Sequence, residues 1–203
     1  ASRVAVVRAP FPSRLPSGDT ALPGDPALVL LAGRGWPPNA LGATWFEREI
    51  WPEVRTAAPG AIVHRFGEAS SRAAEGILVH APPRDSRDAF APGAILVVPL
   101  QVASGVRMKI LEAWARGLPV VATPAAAAGL EARAGRELLI AASAEDFARA
   151  VRRLAEDTNH AAELVRHGRE LLELRHAPSA IAEQLERCYD AACGRAAMPA
   201  ADW

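Results

Sequence analysis

Residues 104–117 limit the possible fold more than any other stretch, because they join two apolar runs through one helical pattern. The runs Ile95–Val98 and 118–122 have the length and composition of buried strands. A strand, a short Ser-Gly loop, a helix and a strand predict a βαβ unit, whose two strands lie parallel. In this unit Ser104 is predicted to cap the helix, and Gly105 lets the backbone approach a ligand. The free N–H groups at the start of such a helix suit an anion such as a phosphate.

The polar residues of this helix form a narrow stripe. Lys109, Glu112 and Arg116 follow one another at i, i+3 and i+7, and most other positions of the helix are apolar. A helix that is apolar nearly all round is buried, so its polar stripe faces a partner or a cleft. A solvated face with a weak Lys–Glu pair explains the same pattern, and the pattern alone does not choose between the two.

Lys109 is the only lysine among the 23 Lys and Arg residues of the chain. Lysine carries a compact charge on a flexible stem, whereas arginine presents a planar fork, so the two bind phosphates differently. One lysine beside an anion-type loop therefore favours a ligand contact, although a single lysine could also stand there by chance. We predict that Lys109 and Glu112 point into one cleft. We also predict that the helix begins within two residues of Val106, with its first N–H groups open to that cleft.

The composition excludes several classes of protein. With 203 residues, half of them hydrophobic, the chain has enough apolar material for one large domain. A formal net charge of zero gives no support to a general binder of nucleic acids or membrane surfaces. No apolar run reaches the roughly 18 residues of a membrane span. Cys188 and Cys193 have neither a zinc nor a disulfide spacing, and no carboxylate cluster suggests a bound metal, so we expect a reducing cytoplasm and no metal.

The chain divides into three segments by composition. Residues 1–26 contain a possible short strand at 4–7 and then five prolines, which predicts an interdomain linker or a remnant of a preceding domain. Residues 27–193 are predicted to form the folded domain. Residues 194–203 lack periodicity and are predicted to be a flexible tail, from which Trp203 could dock on the domain.

Within the domain, short apolar runs alternate with helical patterns. Strands are predicted at 27–32, 61–66, 77–80, 95–98, 118–122 and 138–140, and helices at 40–57, 143–157, 159–175 and 179–193 besides the central one. Asn39 and Ser179 are predicted helix caps, Pro52 a bend, and His64 a structural residue of its strand. This alternation predicts an α/β, Rossmann-like domain of three layers with a mostly parallel sheet and extra C-terminal helices.

The ligands of such sheets bind beyond the carboxyl ends of the strands. The loops expected there begin at Gly33, Gly67, Ala81, Pro99 and Thr123. Residues 104–109 lie in the middle of this set, which favours a ligand-facing polar stripe. The G-x-G at residues 33–35 could hold a phosphate, but a tight strand-to-helix turn accounts for it better.

Residues 105–113, with 117–123, resemble the donor-binding signature of the group 1 (family four) glycosyltransferases. The resemblance extends more weakly over 31–39, 80–88 and 138–154, and covers about residues 27–190. It implies a retaining enzyme with the two-domain GT-B fold that uses a nucleotide-diphospho-sugar. This chain would then be its C-terminal, donor-binding domain.

The resemblance also assigns roles to individual residues. Glu112 matches the glutamate that holds the donor ribose, and Arg107 and Lys109 match basic positions near the diphosphate. Ser104 stands where many members have a glutamate that contacts the sugar. The implied donor-binding residues are Gly33, Ser104, Gly105, Val106, Arg107, Lys109 and Glu112, and the loop near the base is His80, Ala81 and Pro82.

The family's acceptor-binding domain has no counterpart in this chain, since 203 residues supply one domain. The expected partners are therefore the nucleotide-sugar donor and the chain's own N-terminal acceptor domain. The catalytic groups are unknown, because that domain is expected to supply them, and no cofactor is expected besides the co-substrate. The whole enzyme would be cytoplasmic, and its membrane association stays open. Two other possibilities remain: a stand-alone nucleotide- or phosphate-binding module without transferase activity, and a structural α/β domain for protein association.

Overall fold

The apolar runs of the sequence form strands, and its amphipathic runs form helices. The computed structural model describes residues 4–33, 36–67, 74–102 and 104–193. The strands are β1 Ala27–Ala32, β2 Ile62–Gly67, β3 Ile77–His80, β4 Ile95–Val98, β5 Val120–Ala122 and β6 Leu139–Ile140. The helices are α1 Pro37–Trp45, α2 Trp51–Ala57, α3 Met108–Arg116, α4 Pro124–Ala127, α5 Ala144–Glu156, α6 Thr158–His176 and α7 Pro178–Ala192. A π-helical turn at Phe46–Ile50 joins α1 to α2, and Ser86–Ala89 forms a 3-10 turn.

All six strands pair in parallel, in the order β3-β2-β1-β4-β5-β6. The α/β, Rossmann-like fold with a parallel sheet is therefore confirmed. The chain builds outward from β1 in one direction through β2 and β3, and from β4 in the other through β5 and β6. The strand order thus reverses between β1 and β4, and a crevice for ligands opens at the carboxyl ends of these two strands.

Alternate residues of β1 contribute to two cores, one on each face of the sheet. Leu28 and Leu30 join the core beneath α2 and α5, which also contains Trp51. Val29 lies on the opposite face, in the core that surrounds Trp114 of α3. Burying each such large apolar side chain stabilises the fold by about 1.5–3 kcal/mol. Because both faces are covered, β1 can be apolar along its whole length, as its sequence shows.

Helix α3 packs against α6 through a close contact between Trp114 and Gly168. A Cβ atom on Gly168 would lie 2.5 Å from the indole ring, so this position of α6 needs glycine. Arg169 of α6 donates to the main-chain carbonyls of Trp114 and Ala115, at 3.1 and 3.2 Å. These contacts fix the C-terminal part of α3 and thereby set the direction of the whole helix.

Two predicted helix caps are wrong. Helix α1 begins at Pro37, before Asn39, and α7 begins at Pro178, before Ser179. Proline suits the first turn because its fixed φ is helical and its missing N–H would have no partner there. The predicted bend near Pro52 is present as the π-helical turn that ends just before α2.

Residues 4–26, here called the N-terminal strap, lie along the surface of the domain. The predicted strand at residues 4–7 is absent. The strap is attached by main-chain bonds from Phe11, Leu15 and Gly18 to the carbonyls of His176, Ala115 and Phe90, at 2.8 to 3.0 Å. Phe11, Leu15 and Leu22 also pack against the core around α3. Its predicted function as an interdomain linker stays a prediction.

The remaining predictions concern local features. The small-residue stretch after Thr123 forms α4, whose first turn the Thr123 side chain caps. The second glycine of the 33–35 turn and the predicted tail at 194–203, with Trp203, lie outside the described residues. Among the described helices, none combines the length and the apolar character that a membrane crossing requires.

Candidate functional site

Two neighbouring pockets open at the carboxyl ends of β1, β2, β3 and β4. The smaller, here the Lys109 pocket, has a volume of about 290 Å³ and is lined by Trp36, Asn39, Leu100, Ser104, Val106, Arg107, Met108 and Lys109. The larger, here the Glu112 pocket, has a volume of about 420 Å³. Its walls are Leu31, Gly33, Phe66, Gly67, Pro82, Pro83, Arg84, Ser86, Ala89, Phe90 and Glu112. The end of β1 separates the two, because Leu31 lines one pocket and its carbonyl oxygen binds Lys109 of the other.

Lys109 is held where the strand order reverses. Its Nζ donates to the carbonyl oxygen of Leu31 at 3.0 Å and to Oδ1 of Asn39 at 2.9 Å. Both acceptors are neutral. Burial away from water lowers the pKa of Lys109 from 10.5 to about 8, because nothing nearby compensates for the lost hydration of the charge.

No carboxylate of the described residues lies within ion-pair distance of Lys109. A buried charge without a counter-charge is costly, and an arriving anion would remove that cost. An ammonium group has three N–H donors, and the two bonds to Leu31 and Asn39 use two of them. The third donor and the unbalanced charge make this pocket suited to a phosphate.

The loop before α3 borders the Lys109 pocket. Helix α3 begins at Met108, two residues after Val106, as predicted. The predicted cap at Ser104 is wrong: the N-cap residue is Arg107, and no side chain caps the helix. Gly105 has a φ of +68°, in the left-handed region that glycine adopts without strain. In the first turn, the N–H groups of Met108 and Ile110 donate to the carbonyls of Val106 and Arg107, at 3.0 and 2.8 Å. The Lys109 N–H is therefore the first-turn donor that a ligand could use.

The side chain of Arg107 fixes the conformation of this loop through hydrogen bonds. Its guanidinium donates to the carbonyl of Ala126 at 2.9 Å and also to the carbonyl of Gly105. Burial lowers the pKa of Arg107, because the loss of hydration disfavours the charged form. Ser104 and Val106 are exposed beside it at the edge of the pocket. Arg107 therefore holds the loop in place, and a contact with a diphosphate stays a prediction.

Glu112, in contrast to Lys109, has a charged partner as well as a neutral hydrogen-bond donor. Its Oε1 accepts from Ser86 Oγ at 2.6 Å and from Arg116 Nε at 2.9 Å. The Glu112 side chain keeps 19% of its surface exposed, against 8% for Arg116. The carboxylate is therefore oriented by its neighbours and still accessible from the pocket.

The rest of the Glu112 pocket is mostly apolar. Phe66 and Phe90 form aromatic walls, and the two prolines at 82–83 form another side. A flat apolar slot with one oriented carboxylate matches a ring system that carries hydroxyl groups, as a nucleoside does.

The predicted base-contacting loop lies at the end of β3. The ring of His80 stacks on Phe66 with centroids 4.6 Å apart, and its Nε2 lies 2.9 Å from Nδ1 of His64. His64 is buried and its Nε2 lies 2.8 Å from the carbonyl oxygen of Pro23, so this nitrogen carries the proton. Burial and the neighbouring His64 lower the pKa of His80. Pro82 reaches the Glu112 pocket, whereas Ala81 is exposed beside it.

The prediction that Lys109 and Glu112 point into one cleft is wrong in one respect. Lys109 and Glu112 both face the crevice, but they line two adjoining pockets instead of one. The ion pair on α3 joins Glu112 to Arg116, not to Lys109. Gly33 lines the Glu112 pocket, and its carbonyl accepts from the Asn39 amide at 3.3 Å. The ligand contacts of these residues stay predictions.

The sequence analysis assigned no site role to Asn39 or Ser86, and it placed Arg116 in the polar stripe without pairing it with Glu112. Arg116 follows Glu112 by four residues, and this spacing is the signal that could have identified the pair. Asn39 and Ser86 come close only through the packing of separate elements, so no local pattern marks them. Within the described parts of the chain, no group of three His, Cys, Asp or Glu side chains could hold a metal ion.

A parallel sheet in this strand order, with pockets at the strand reversal, defines a Rossmann-like domain of the kind that binds nucleotides. A family model described as "Glycosyl transferases group 1" matches residues 26–157. This span is more than half of the chain, and the chain therefore belongs to the group 1 glycosyltransferases. None of the curated proteins matches it.

Solved structures with a similar fold include three proteins that are 13–20% identical to this chain. The structure of HepE from Anabaena with UDP-glucose is 13% identical with a TM-score of 0.64, over 83% of this chain and 49% of that one. Sucrose-phosphate synthase from Thermosynechococcus elongatus is 20% identical with a TM-score of 0.67, over 94% and 53%. The C-terminal domain of the group 1 protein LpcC from Francisella tularensis is 16% identical with a TM-score of 0.61, over 83% and 99%. The chain thus spans about half of whole relatives, and nearly all of a C-terminal domain.

Proposed function

We propose that this chain is the donor-binding domain of a glycosyltransferase and holds a nucleoside-diphospho-sugar at the carboxyl ends of its strands. The observation that carries this proposal is Lys109, a partly buried ammonium between two neutral acceptors where the strand order reverses. Its charge is balanced once the donor diphosphate occupies the Lys109 pocket. The main-chain N–H of Lys109, in the first turn of α3, adds one donor beside the same anion.

The nucleoside occupies the Glu112 pocket in this proposal. The aromatic and proline walls cover the apolar faces of the nucleoside, and Glu112 accepts hydrogen bonds from the ribose hydroxyls. The base lies near the His80–Pro82 loop and contacts its backbone. Ser104, at the edge of the Lys109 pocket, is placed to contact the sugar. That HepE was solved with UDP-glucose supports a donor of this class.

The transfer itself needs a second domain in this proposal. The chain spans about half of the whole relatives, which supports an N-terminal domain that binds the acceptor and supplies catalytic groups. We propose a retaining transfer in the synthesis of a carbohydrate, in the cytoplasm or at the surface of a membrane, with the sugar nucleotide as the co-substrate. The chain alone would then bind the donor without transferring its sugar.

Thermal unfolding with added ligand tests donor binding. The diphosphates of uridine, guanosine and adenosine, and their glucose conjugates, are added to the chain in turn. A ligand at 100 times its Kd stabilises by about 2.7 kcal/mol. In a protein of this size that corresponds to a rise in Tm of roughly 5–10 °C.

At least one of these ligands should raise the Tm of the wild-type chain, and it should raise the Tm of Lys109→Met by a clearly smaller amount. If none does, in this chain or when it is joined to the sequence that precedes it, donor binding is refuted. A stand-alone nucleotide-binding module would bind the same ligands. It would release no nucleoside diphosphate from a sugar nucleotide when the preceding domain and an acceptor are supplied.

A further inference from the structure

Arg116 does not line the Glu112 pocket, although it is bonded to the carboxylate that does. It borders a separate groove of about 1030 Å³ that lies between the N-terminal strap and α6. Its side chain is almost fully buried. Any influence of Arg116 on a ligand in the Glu112 pocket must therefore pass through Glu112 and Ser86.

Arg116, Ser86 and Glu112 form a closed ring of three hydrogen bonds. Arg116 Nε donates to Glu112 Oε1 at 2.9 Å, and Arg116 Nη2 donates to Ser86 Oγ at 3.2 Å. Ser86 Oγ in turn donates to the same Oε1 at 2.6 Å. Both donors converge on one carboxylate oxygen, so the plane of the carboxylate is fixed and Oε2 is the oxygen left for a ligand.

The N-terminal strap holds Arg116 from the other side. Nη1 of Arg116 donates to the carbonyl of Pro16, and the guanidinium lies 5.7 Å from the centre of the Phe90 ring. The carbonyl of Phe90 also accepts from Gly18 of the strap at 3.0 Å. A planar guanidinium can satisfy Glu112, Ser86 and Pro16 at once, which a single ammonium group cannot do in the same geometry.

We infer that Arg116 is a positioning residue of the donor site: it orients Glu112 toward the ribose and so sets the preference of the pocket for ribose hydroxyls. This inference rests on the proposed function, because it takes the ligand of the Glu112 pocket to be a nucleoside. The strap contributes to the same preference through Pro16, although it lies outside the pocket.

The test compares ribose with deoxyribose by calorimetric titration. The ligands are the tightest-binding of the diphosphates of uridine, guanosine and adenosine, its 2′-deoxy and 3′-deoxy counterparts, and inorganic pyrophosphate. The proteins are the wild-type chain, Arg116→Met, Arg116→Lys and Arg169→Met. Arg169 is the matched control, because it borders the same groove and bonds to the end of α3 without touching Glu112.

We expect the wild-type chain to prefer the ribose ligand about tenfold, which corresponds to one charge-assisted hydrogen bond. The preference should fall to threefold or less in Arg116→Met and at least by half in Arg116→Lys. The affinity for pyrophosphate should stay the same in both. Arg169→Met should lower the Tm and leave the preference at its wild-type value.

A folded Arg116 variant that keeps the full preference would overturn the inference. Arg116→Lys retains the charge and the aliphatic stem, so it provides the result if Arg116→Met does not fold. An equal loss of the ribose preference in Arg169→Met would also overturn the inference, because the loss would then result from a change at the end of α3. If the wild-type chain binds these ligands without preferring ribose, the proposed role of Glu112 fails first and the inference with it.

Discussion

Lys109 and Glu112 lie one turn apart on the same helix, yet the protein holds them by opposite means. Lys109 is bonded to two neutral oxygens, and burial lowers its pKa to about 8. Glu112 is paired with a buried arginine and a serine hydroxyl. Among the residues that the structure describes, Lys109 thus has no counter-charge, whereas the charge of Glu112 is balanced by Arg116.

The difference indicates what each pocket accepts. A buried cation without a counter-ion gains most from an anion, because the anion restores the electrostatic stabilisation that water supplied. A carboxylate that already has its cation gains little from a second one, and its remaining oxygen suits neutral O–H donors. The Lys109 pocket therefore matches phosphate and the Glu112 pocket matches hydroxyl groups.

The largest effect is expected for Lys109→Met, which keeps the stem and removes the charge. Loss of a charge-assisted hydrogen bond of about 1.5–3 kcal/mol lowers the affinity for a nucleoside diphosphate roughly 10- to 100-fold. Calorimetric titration measures this, with Lys109→Arg as the control that keeps the charge and loses less. The Tm without ligand should change little, because the cost of burying the charge disappears together with its two bonds. Equal affinities in all three proteins would show that Lys109 binds no phosphate.

Alkaline pH should weaken the binding of a nucleoside diphosphate almost as much as Lys109→Met does. The lowered pKa means that Lys109 loses its proton around pH 8, and only its charged form attracts the diphosphate. Affinity should therefore fall about tenfold from pH 7 to pH 9 as the ammonium is titrated. Titrations at several pH values measure the decline, and Lys109→Arg should show none. A wild-type affinity that is constant up to pH 9 would contradict the desolvated state of Lys109.

Asn39→Asp should give Lys109 a counter-charge, as Arg116 does for Glu112, because it places a carboxylate beside the ammonium. The pair would be neutral overall, so the affinity for a nucleoside diphosphate at pH 7 should fall about fivefold, or roughly 1 kcal/mol. The new anion should also raise the pKa of Lys109, so that the alkaline decline moves above pH 9. Asn39→Ala is the control without the added charge, and it should keep the decline near pH 8. If both variants show the same pH profile, Asn39 does not control the charge of Lys109.

The smallest effect is expected for Glu112→Gln, an isosteric change that keeps one oxygen acceptor. Neutral hydrogen bonds are weaker than charge-assisted ones by about 0.5–1 kcal/mol, so we expect a roughly two- to fivefold loss of affinity for the nucleoside diphosphate. Inorganic pyrophosphate, measured in parallel, should bind as before. Lys109→Met is the contrasting variant, because it should weaken both ligands. A Glu112→Gln protein that loses pyrophosphate affinity would remove the distinction between the two pockets.

Much of the fold could be predicted from the sequence because its signals are local. The apolar runs of β1, β2 and β4 and the capping box at Ser143 and Asp146 of α5 identify their elements by themselves. Two of the wrong predictions concern positions where two local signals competed. Asn39 and Ser179 are good caps, but the prolines before them begin the helices earlier.

The candidate site was predictable only in part. Residues 104–112 carry their own pattern, and the resemblance to group 1 glycosyltransferases rests on them, so Lys109 and Glu112 could be assigned to a ligand cleft. Their partners could not be assigned. Asn39 lies 70 residues from Lys109 in the chain, and Ser86 lies 26 residues from Glu112. Nothing local predicts either contact.

The sequence by itself determined the elements of this protein, their parallel arrangement and the helix that carries the polar stripe, because hydrophobic periodicity acts over a few neighbouring residues. Only the tertiary structure decided that the stripe divides between two pockets. It also decided that Lys109 has no counter-charge within the described part of the chain and that Arg116 balances Glu112 beside the N-terminal strap. The physical reason is that desolvation and charge balance depend on every group packed around a side chain. Most of those groups come from distant parts of the chain.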